Sequence, residues 1–532
     1  MRRSSDFETF WARRSITDGR PRDHSENPMN SDAFLAHHQL ESNPFRGEEA
    51  RQDAVFDRIE GACRHHGFEK ILGDPHHPAS AVVFGERGSG KTALRLQLEH
   101  GISEWNRKHP ESRCLVIGHD EFNPMLGSIG RSLGREDQDS VVTAVTLADH
   151  LDVVLSRAVP VVVDAVLGGR PPAAGPLVDL ADARRSMRAA PLADRRELQR
   201  LQVLYDGGPD AADRARRLRS VLRLPGSSGG RFMLFGMILL SLLAAIWGVL
   251  LGLEIVTGPE GAIVLPSLIL LAGAGVTGFG WIRNRFRVSR LARNAARRLR
   301  SLGRESESFR CSVRQVPSRA FASLLPPTGG GADEWRIERL AGLVDVLRAI
   351  HVPGMVVLVD RVDEPVAVNG MTARMRALAW PLFRNKVLQM PGVGMKFLLP
   401  LELRDELLRE TPEFFREARL DKQNLVERLV WSGAMLFDLC NARLAACSAV
   451  ETPPGVMDLF DDSVNRQDVV DALDQMQQPR DAFKLLYGLI QEHCANVVEE
   501  ESSFRIGRTT LDVIRRQQVE RKEGMLRGVR PG

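Results

Sequence analysis

The stretch GERGSGKT, at residues 85–92, gives the first indication of a fold in this chain of 532 residues. It follows the apolar run AVVF at 81–84 and precedes TALRLQLEHGISEW, whose composition favours a helix. A glycine-rich turn between a strand and a helix N-terminus can direct backbone N–H groups toward an anion. The stretch therefore predicts a phosphate-binding loop, with a glycine turn that holds no ligand as the alternative.

The individual loop residues have different expected roles. The glycines let the backbone turn toward phosphate oxygens. Lys91 would reach the β- and γ-phosphates of a nucleoside triphosphate, and the Thr92 hydroxyl would bind Mg²⁺. The chain contains no Asn-Lys-x-Asp motif for guanine, so ATP is favoured over GTP. The expected nucleotide-binding residues are Gly85, Gly88, Ser89, Gly90, Lys91 and Thr92.

A second apolar run, MVVLVD at 355–360, ends in a carboxylate. A strand that is apolar on both faces is typical of a parallel sheet covered by helices, and ligands bind at the carboxyl ends of such strands. Asp360 is therefore the second expected Mg²⁺ ligand, and it is expected to act through water. Asp363 and Glu364 follow it, and either could polarise the attacking water. Glu364 is the preferred candidate, while helix capping or solvent exposure is the alternative for both.

Two uncharged runs, 232–253 and 261–282, lie between these motifs. As a helix, each is long enough to cross a hydrocarbon core of about 30 Å. A short connection with the turn signal Gly258-Pro259 joins them, and arginines crowd both outer flanks, at 214–231 and 283–304. The arginines place both ends on the cytoplasmic side. The pattern predicts a transmembrane hairpin, with a buried soluble hairpin as the alternative.

This hairpin determines the expected location and some of the expected partners. The chain would be a multi-pass membrane protein with two spans, and both termini and the nucleotide-binding domain would be cytoplasmic. The flanking arginines would contact the anionic head groups of membrane lipids. No aromatic pattern is interleaved with them, so nucleic acid is not an expected partner.

The overall composition narrows the remaining possibilities. The chain has 43% hydrophobic residues, 26% charged residues and a net charge of +4, which is typical of a globular protein. Its six cysteines form no CxxC pair. Neither a disulfide framework nor a zinc site is therefore expected.

The sequence VLVDRVDE, at 357–364, resembles the extended Walker B pattern of STAND-type NTPases, in which acidic residues follow the Asp after three and four positions. A P-loop NTPase domain interrupted by transmembrane helices between its two Walker motifs resembles the KAP family within that group. Arg361 stands where typical KAP members have a second Asp. The resemblance covers roughly residues 40–495. It implies a membrane-anchored ATPase or ATP-dependent switch that slowly hydrolyses Mg-ATP, with a non-hydrolysing ATP-binding scaffold as the alternative.

The resemblance also extends to certain arginines. QQPRDAFKLLYGLI, at 477–490, is similar to the Pro-Arg sensor segment of the helical lid in AAA-related NTPases. This implies that Arg480 touches the nucleotide when the lid closes, with an ordinary surface arginine as the alternative. In oligomeric relatives an arginine before the next strand can reach a neighbouring subunit's γ-phosphate. The corresponding arginines here are Arg404, Arg409, Arg416 and Arg419, for which a solvated helix face is the favoured interpretation.

The predicted fold class is α/β: a P-loop NTPase parallel sheet with a helical lid, interrupted by an α-helical insertion that carries the two transmembrane helices. The chain has no internal repeat that could act as a sensor. The sensor or effector is therefore expected to be a second copy of the chain or a partner protein. The predicted regions are a mobile tail (1–30), a helical lead-in (31–80), the first NTPase half (81–165), the insertion (166–335), the second NTPase half (336–432), the lid (433–500) and a basic tail (501–532).

Overall fold

The structure is a computed structural model, and its contacts divide the chain into two units. Residues 60–430 form the sheet unit, and residues 1–59 with 431–532 form the terminal unit. The described residues are 29–47, 50–59, 63–135, 137–168, 182–208, 210–224, 228–252, 260–327, 331–383, 386–418, 420, 424–497 and 503–526. Most of the predicted N-terminal tail thus lies outside the described residues.

The sheet unit contains a five-stranded parallel sheet with the order β2-β3-β4-β1-β5. Parallel pairing brings the carboxyl ends of all five strands to one edge. Strand β1, which carries the predicted loop at its end, lies between β4 and β5, and β4 separates it from β3. The strands are β1 (Ala81–Gly85), β2 (Cys114–His119), β3 (Gly354–Val359), β4 (Val393–Pro400) and β5 (Asn424–Val426).

Both faces of the sheet are covered, which explains the unbroken apolar runs in the sequence. In β3, Met355, Val357 and Val359 belong to one hydrophobic cluster. Val356 and Leu358, which point to the opposite face, belong to a second cluster. Because side chains alternate across a strand, a strand buried on both faces needs apolar residues at every position. The described chain is thus a mixed α/β protein with a parallel sheet.

Twenty-one α-helices surround this sheet or form the terminal unit within the described residues. Before the insertion they are α1 (Ser31–His37), α2 (Ala54–Arg58), α3 (Phe68–Leu72), α4 (Lys91–Lys108), α5 (Asn123–Leu133), α6 (Gln138–Thr143) and α7 (Leu147–Leu167). In the insertion they are α8 (Ala183–Ala189), α9 (Leu192–Tyr205), α10 (Ala211–Val221), α11 (Ser228–Gly252), α12 (Glu260–Arg298), α13 (Ser306–Val313) and α14 (Ala332–Arg348). After it they are α15 (Thr372–Ala379), α16 (Glu402–Leu408), α17 (Pro412–Glu417), α18 (Gly433–Ala446), α19 (Arg466–Met476), α20 (Pro479–Asn496) and α21 (Arg508–Leu526).

A buried ion pair ties the insertion to the helices beside the sheet. Arg336 of α14 donates two hydrogen bonds to Asp152 of α7, at 2.9 and 2.7 Å. The Tyr205 hydroxyl of α9 donates a third to the same carboxylate, at 3.0 Å. Asp152 is fully buried and Arg336 is 3% exposed. Since a charge buried in this way needs a partner, the three side chains hold α7, α9 and α14 in one arrangement.

The predicted transmembrane hairpin is contradicted by the structure. Among the residues it describes, no helix has an apolar segment of the length that a membrane crossing requires. The prediction of two transmembrane helices, 232–253 and 261–282, is therefore wrong.

Two further predictions depended on this hairpin. The multi-pass location with cytoplasmic termini rested on the two spans, and it is contradicted by the same finding. The connection containing Gly258-Pro259, and the side chains of 232–233, 251–253 and 261–267, lie outside the described residues.

What the uncharged runs form is a pair of helices with an apolar outer surface. Helices α11 and α12 pack against each other, and Gly273 permits close contact because a Cβ there would lie 3.1 Å from Leu240. The outer faces expose large apolar side chains, among them Phe235, Val276 and Phe279. An uncharged run is therefore compatible with exposed apolar helix faces as well as with a membrane span.

The terminal unit has its own buried polar anchor. Arg443 of α18 is 1% exposed and donates hydrogen bonds to Asp53, at 2.6 Å, and to the carbonyl of Pro44, at 2.6 Å. The segment before α2 is thereby fixed to a helix from the C-terminal part of the chain. The predicted lid, 433–500, contains α18, α19 and α20, and within the predicted basic tail residues 508–526 form α21.

Candidate functional site

The phosphate-binding loop predicted from the sequence has the backbone conformation that such a loop needs. Gly88 and Gly90 have φ values of 94° and 92°, in the left-handed region that glycine adopts at little cost. Gly90 directly precedes α4, so the loop ends at the N-terminus of an 18-residue helix. Glycine is required at position 85 for a different reason, since a Cβ there would lie 2.3 Å from Oγ of the buried Ser89. The loop thus combines a tight turn with a helix end that favours anions.

Lys91 holds its ammonium group against this loop. Its Nζ donates hydrogen bonds to the carbonyl oxygens of Gly85, at 2.8 Å, and Glu86, at 2.9 Å. A compact cation with three donors is well suited to contact phosphate oxygens. The position of Lys91 is consistent with the role that the sequence predicts for it.

The structure brings Thr92 and Asp360 together although 268 positions separate them. The Thr92 hydroxyl donates a hydrogen bond to Oδ2 of Asp360, at 3.3 Å, and the backbone N–H of Arg361 donates to Oδ1, at 2.9 Å. Asp360 follows β3 and is 1% exposed. Burial raises the pKa of this carboxyl group, and the Arg95 guanidinium opposes that shift. A hydroxyl and a carboxylate are hard oxygen donors of the kind that Mg²⁺ prefers, so this pair fits the predicted metal site.

Arg95 and Asp120 belong to the same site, although neither is among the residues predicted from the sequence. Arg95 is 6% exposed, and its Nη1 donates to Oδ2 of Asp120, at 2.8 Å. Its Nε lies 3.9 Å from Oδ2 of Asp360. Arg157 adds a second contact to Asp120, at 3.2 Å. The guanidinium of Arg95 therefore connects the carboxylates that follow β2 and β3.

Two signals in the sequence could have indicated these residues. Arg95 comes three positions after Thr92 in a predicted helix, so both lie on the same helix face. Asp120 ends the run CLVIGHD in the way that Asp360 ends MVVLVD. A second apolar run ending in a carboxylate predicts a second acidic residue at the same edge of the sheet.

The two candidates for activating water lie beside the Asp360 pair, in the turn after β3. Arg361 has a φ of 62°, and the Glu364 N–H donates to its carbonyl oxygen, at 3.3 Å. Oε1 of Glu364 lies 3.4 Å from Nε of Arg361, and the Glu364 side chain is half exposed. Asp363 is partly buried. Both carboxylates are thus near the site, and the preference for Glu364 stays a prediction.

The predicted arginine contacts are not assembled in the sheet unit. Arg480 is the second residue of α20, which belongs to the terminal unit, so its contact with nucleotide stays a prediction. Arg404, Arg409 and Arg416 pair with acidic residues nearby in the chain, as expected for a solvated helix face. Arg419 lies outside the described residues.

The two arginine clusters beside the uncharged runs differ in their surroundings. In the first, Arg214 contacts Asp206 at 2.8 Å and Arg216 contacts Asp213 at 2.9 Å. In the second, Arg283, Arg285, Arg287 and Arg290 on α12 are exposed, whereas Arg300 contacts Asp149 at 2.7 Å. Local carboxylates therefore partly neutralise the first cluster. The expected contact with anionic head groups stays a prediction.

Comparisons of the chain with protein-family models, with curated proteins and with solved structures found no match. The resemblance to the KAP family therefore stays a prediction, and the interpretation of the site rests on its own geometry.

Proposed function

We propose that this chain is a P-loop ATPase that binds Mg-ATP and uses its nucleotide state as a switch controlling assembly or partner contacts. The observation that carries the proposal is the hydrogen bond between Thr92 and Asp360, at 3.3 Å, beside a loop with the required positive φ angles. A glycine turn with only a structural role would not need a hydroxyl and a buried carboxylate aligned at its end.

Each residue of the site would contribute a separate part of ATP binding. The loop N–H groups and Lys91 would bind the phosphates, and Thr92 with Asp360 would hold Mg²⁺. When bound, Mg²⁺ would neutralise charge on the phosphate oxygens. Arg95 would keep the Asp360 carboxylate ionised and oriented, because its guanidinium lies 3.9 Å away in a buried setting.

Hydrolysis requires a carboxylate that orients water toward the terminal phosphate. Glu364 and Asp363 are the available candidates in the turn after β3, and slow turnover would reset the switch. The ion pair between Glu364 and Arg361, at 3.4 Å, favours a second candidate function. If that pair persists with ATP bound, the chain would be an ATP-binding scaffold with negligible hydrolysis.

Nucleotide binding is tested with Lys91→Ala in the full chain. We expect this change to abolish Mg-ATP binding measured by titration calorimetry, because the cation aimed at the β- and γ-phosphates is lost. Lys108→Ala is the matched control, since Lys108 is 70% exposed at the far end of the same helix. Equal ATP affinity in Lys91→Ala and wild type would show that the loop is only a structural turn.

Hydrolysis is tested with Glu364→Gln, which keeps the size of the side chain and removes its charge. We expect turnover to fall by about 10²-fold, while ATP affinity stays within a few-fold because Lys91, Thr92 and Asp360 are unchanged. Asp363→Asn is the comparison, and a larger loss there would exchange the two roles. Wild-type turnover no higher than that of Lys91→Ala would exclude the ATPase and support the scaffold.

A further inference from the structure

The segment that follows β5 is fixed directly to the phosphate-binding loop. The Leu429 N–H donates to the carbonyl of Phe84, at 2.7 Å, one residue before the loop begins. His65 forms a hydrogen bond with the carbonyl of Val430, at 2.9 Å. These two contacts hold the backbone on one side of Arg428, and β5 holds it on the other. The position of Arg428 beside the loop is thus set by main-chain contacts.

From this position Arg428 forms an ion pair with Glu86, the second residue of the loop. The Glu86 side chain is 23% exposed and that of Arg428 is 44% exposed. The backbone carbonyl of Glu86 also accepts the hydrogen bond from Lys91, at 2.9 Å. Glu86 therefore contacts both Arg428, through its carboxylate, and Lys91, the cation that is expected to contact the β- and γ-phosphates, through its carbonyl.

A carboxylate inside a phosphate-binding loop creates an electrostatic conflict. It repels the phosphates of an incoming nucleotide, and the repulsion increases with each phosphate added. The guanidinium of Arg428 offsets the charge of Glu86, but a phosphate group offers the same planar donors a more highly charged acceptor. Because Arg428 is partly exposed, its guanidinium can exchange one anionic partner for another without a large desolvation cost.

We infer that Arg428 releases Glu86 and binds the terminal phosphate when a nucleoside triphosphate enters the site. This exchange lets the site distinguish ATP from ADP. The inference rests on the proposed nucleotide-binding function and adds a specificity-determining residue to it. Glu86 then acts as the competitor that holds Arg428 when no terminal phosphate is present. The two residues should consequently affect ATP affinity in opposite directions.

The test measures the dissociation constants of Mg-ATP and Mg-ADP for wild type, Arg428→Gln and Glu86→Gln. We expect Arg428→Gln to weaken ATP binding by about tenfold, the scale of a charge-assisted contact, and to change ADP binding by less than threefold. Glu86→Gln should tighten ATP binding several-fold, because it removes the repulsion and releases Arg428. In the double variant the part of the gain that comes from releasing Arg428 should be lost, so the double variant should bind ATP more weakly than Glu86→Gln does.

Arg348→Gln is the matched control. Arg348 is 47% exposed and pairs with Asp345 at 2.9 Å, so it tests the loss of an ordinary surface ion pair. It should leave both affinities unchanged. Equal effects of Arg428→Gln on ATP and ADP, or no effect on either, would overturn the inference. If Arg428→Gln does not fold, an unchanged ATP-to-ADP preference in Glu86→Gln overturns it instead.

The inference and the proposed function fail in distinguishable ways. Wild type that binds ATP no better than Lys91→Ala would refute the nucleotide site itself. Wild type that binds ATP well, with the same preference for ATP over ADP in all variants of Glu86 and Arg428, would retain the site and refute only the exchange.

Discussion

Lys396 places an ammonium group inside the sheet, and this predicts a specific pH dependence of stability. The residue lies in the middle of β4 and its side chain is fully buried. Its Nζ donates to the carbonyl oxygens of Ile71, at 2.6 Å, and Leu72, at 3.1 Å, at the C-terminus of α3. Burial lowers the pKa of Lys396 from 10.5 to about 8, because the loss of water penalises the charged form.

The sign of the effect follows from comparing the two states. The unfolded chain keeps this lysine protonated until the pH approaches its ordinary pKa, whereas the native chain loses the proton near pH 8. Between these values the unfolded state binds more protons, so this lysine makes the free energy of unfolding rise with pH. For a native pKa of about 8, the rise between pH 8 and pH 9 is about 1 kcal/mol. Below about pH 7 the contribution is constant.

Thiol groups oppose this trend in the same pH range. Burial raises the pKa of Cys114 to about 12 and that of Cys494 to about 11. The unfolded chain therefore loses thiol protons first as the pH approaches 9, which lowers the free energy of unfolding. The wild-type pH profile alone would mix the two effects. Comparison with Lys396→Met isolates the lysine, because both proteins carry the same thiols.

The assay is chemical denaturation of wild type and Lys396→Met at several pH values from 7 to 9, with unfolding monitored by tryptophan fluorescence. We expect the difference in unfolding free energy to move by about 1 kcal/mol in favour of wild type between pH 8 and pH 9. Lys386→Met is the control, since Lys386 is 75% exposed, and it should follow the wild-type profile. A constant difference between wild type and Lys396→Met would refute the reasoning. It would mean that the carbonyls of Ile71 and Leu72 keep the ammonium charged despite its burial.

Two further substitutions test the insertion and the loop. Arg336→Met should lower the free energy of unfolding by about 3–5 kcal/mol, because it leaves the Asp152 carboxylate buried without its cation. Arg348→Met, on a half-exposed side chain of the same helix, should cost under about 1 kcal/mol in the same denaturation assay. Gly90→Ala should cost about 1–2 kcal/mol from its positive φ and should also abolish Mg-ATP binding. Gly134→Ala, at another positive φ with open space around it, should cost a similar amount and leave ATP binding intact, and loss of binding in both would assign the effect to general destabilisation.

The sequence predicted the elements that carry a complete local signal. The loop lies between β1 and α4, as the runs on either side of it predict. Asp360 could be placed at the end of its strand because a strand buried on both faces leaves an unbroken apolar run that ends where the chain leaves the core. Thr92 and Asp360 could then be placed at the same edge of the sheet, since parallel strands bring their carboxyl ends to one edge.

Other parts of the site depend on information that no single stretch of sequence contains. Arg428 reaches Glu86 because β5 pairs with β1, and Arg95 connects two carboxylates because β2 pairs with β3. Strand order decides which loops are neighbours, and the sequence pattern does not give that order. The burial of Lys396 could not be predicted for the same reason. A lysine within an apolar run does not indicate whether carbonyl oxygens from another segment will accept hydrogen bonds from its ammonium group.

The hairpin prediction failed for a related reason. Length and absence of charge describe the apolar character of 232–253 and 261–282, but they do not determine what each face contacts. In the structure α11 and α12 pack against each other and turn large apolar side chains outward. Among the described residues, no helix is long and apolar enough to cross a membrane.

The position of the insertion explains how the nucleotide site tolerates it. The chain leaves the sheet after β2 and returns at β3, its immediate neighbour, so the insertion joins two ends that the sheet already holds together. The entropic cost of closing such a connection grows only logarithmically with its length. The helices α7, α9 and α14 extend the hydrophobic core on one face of the sheet, and the Asp152–Arg336 pair is buried among them. The adjacency of β2 and β3 thus preserves the link from Asp120 through Arg95 to Asp360, whatever the length of the chain between them.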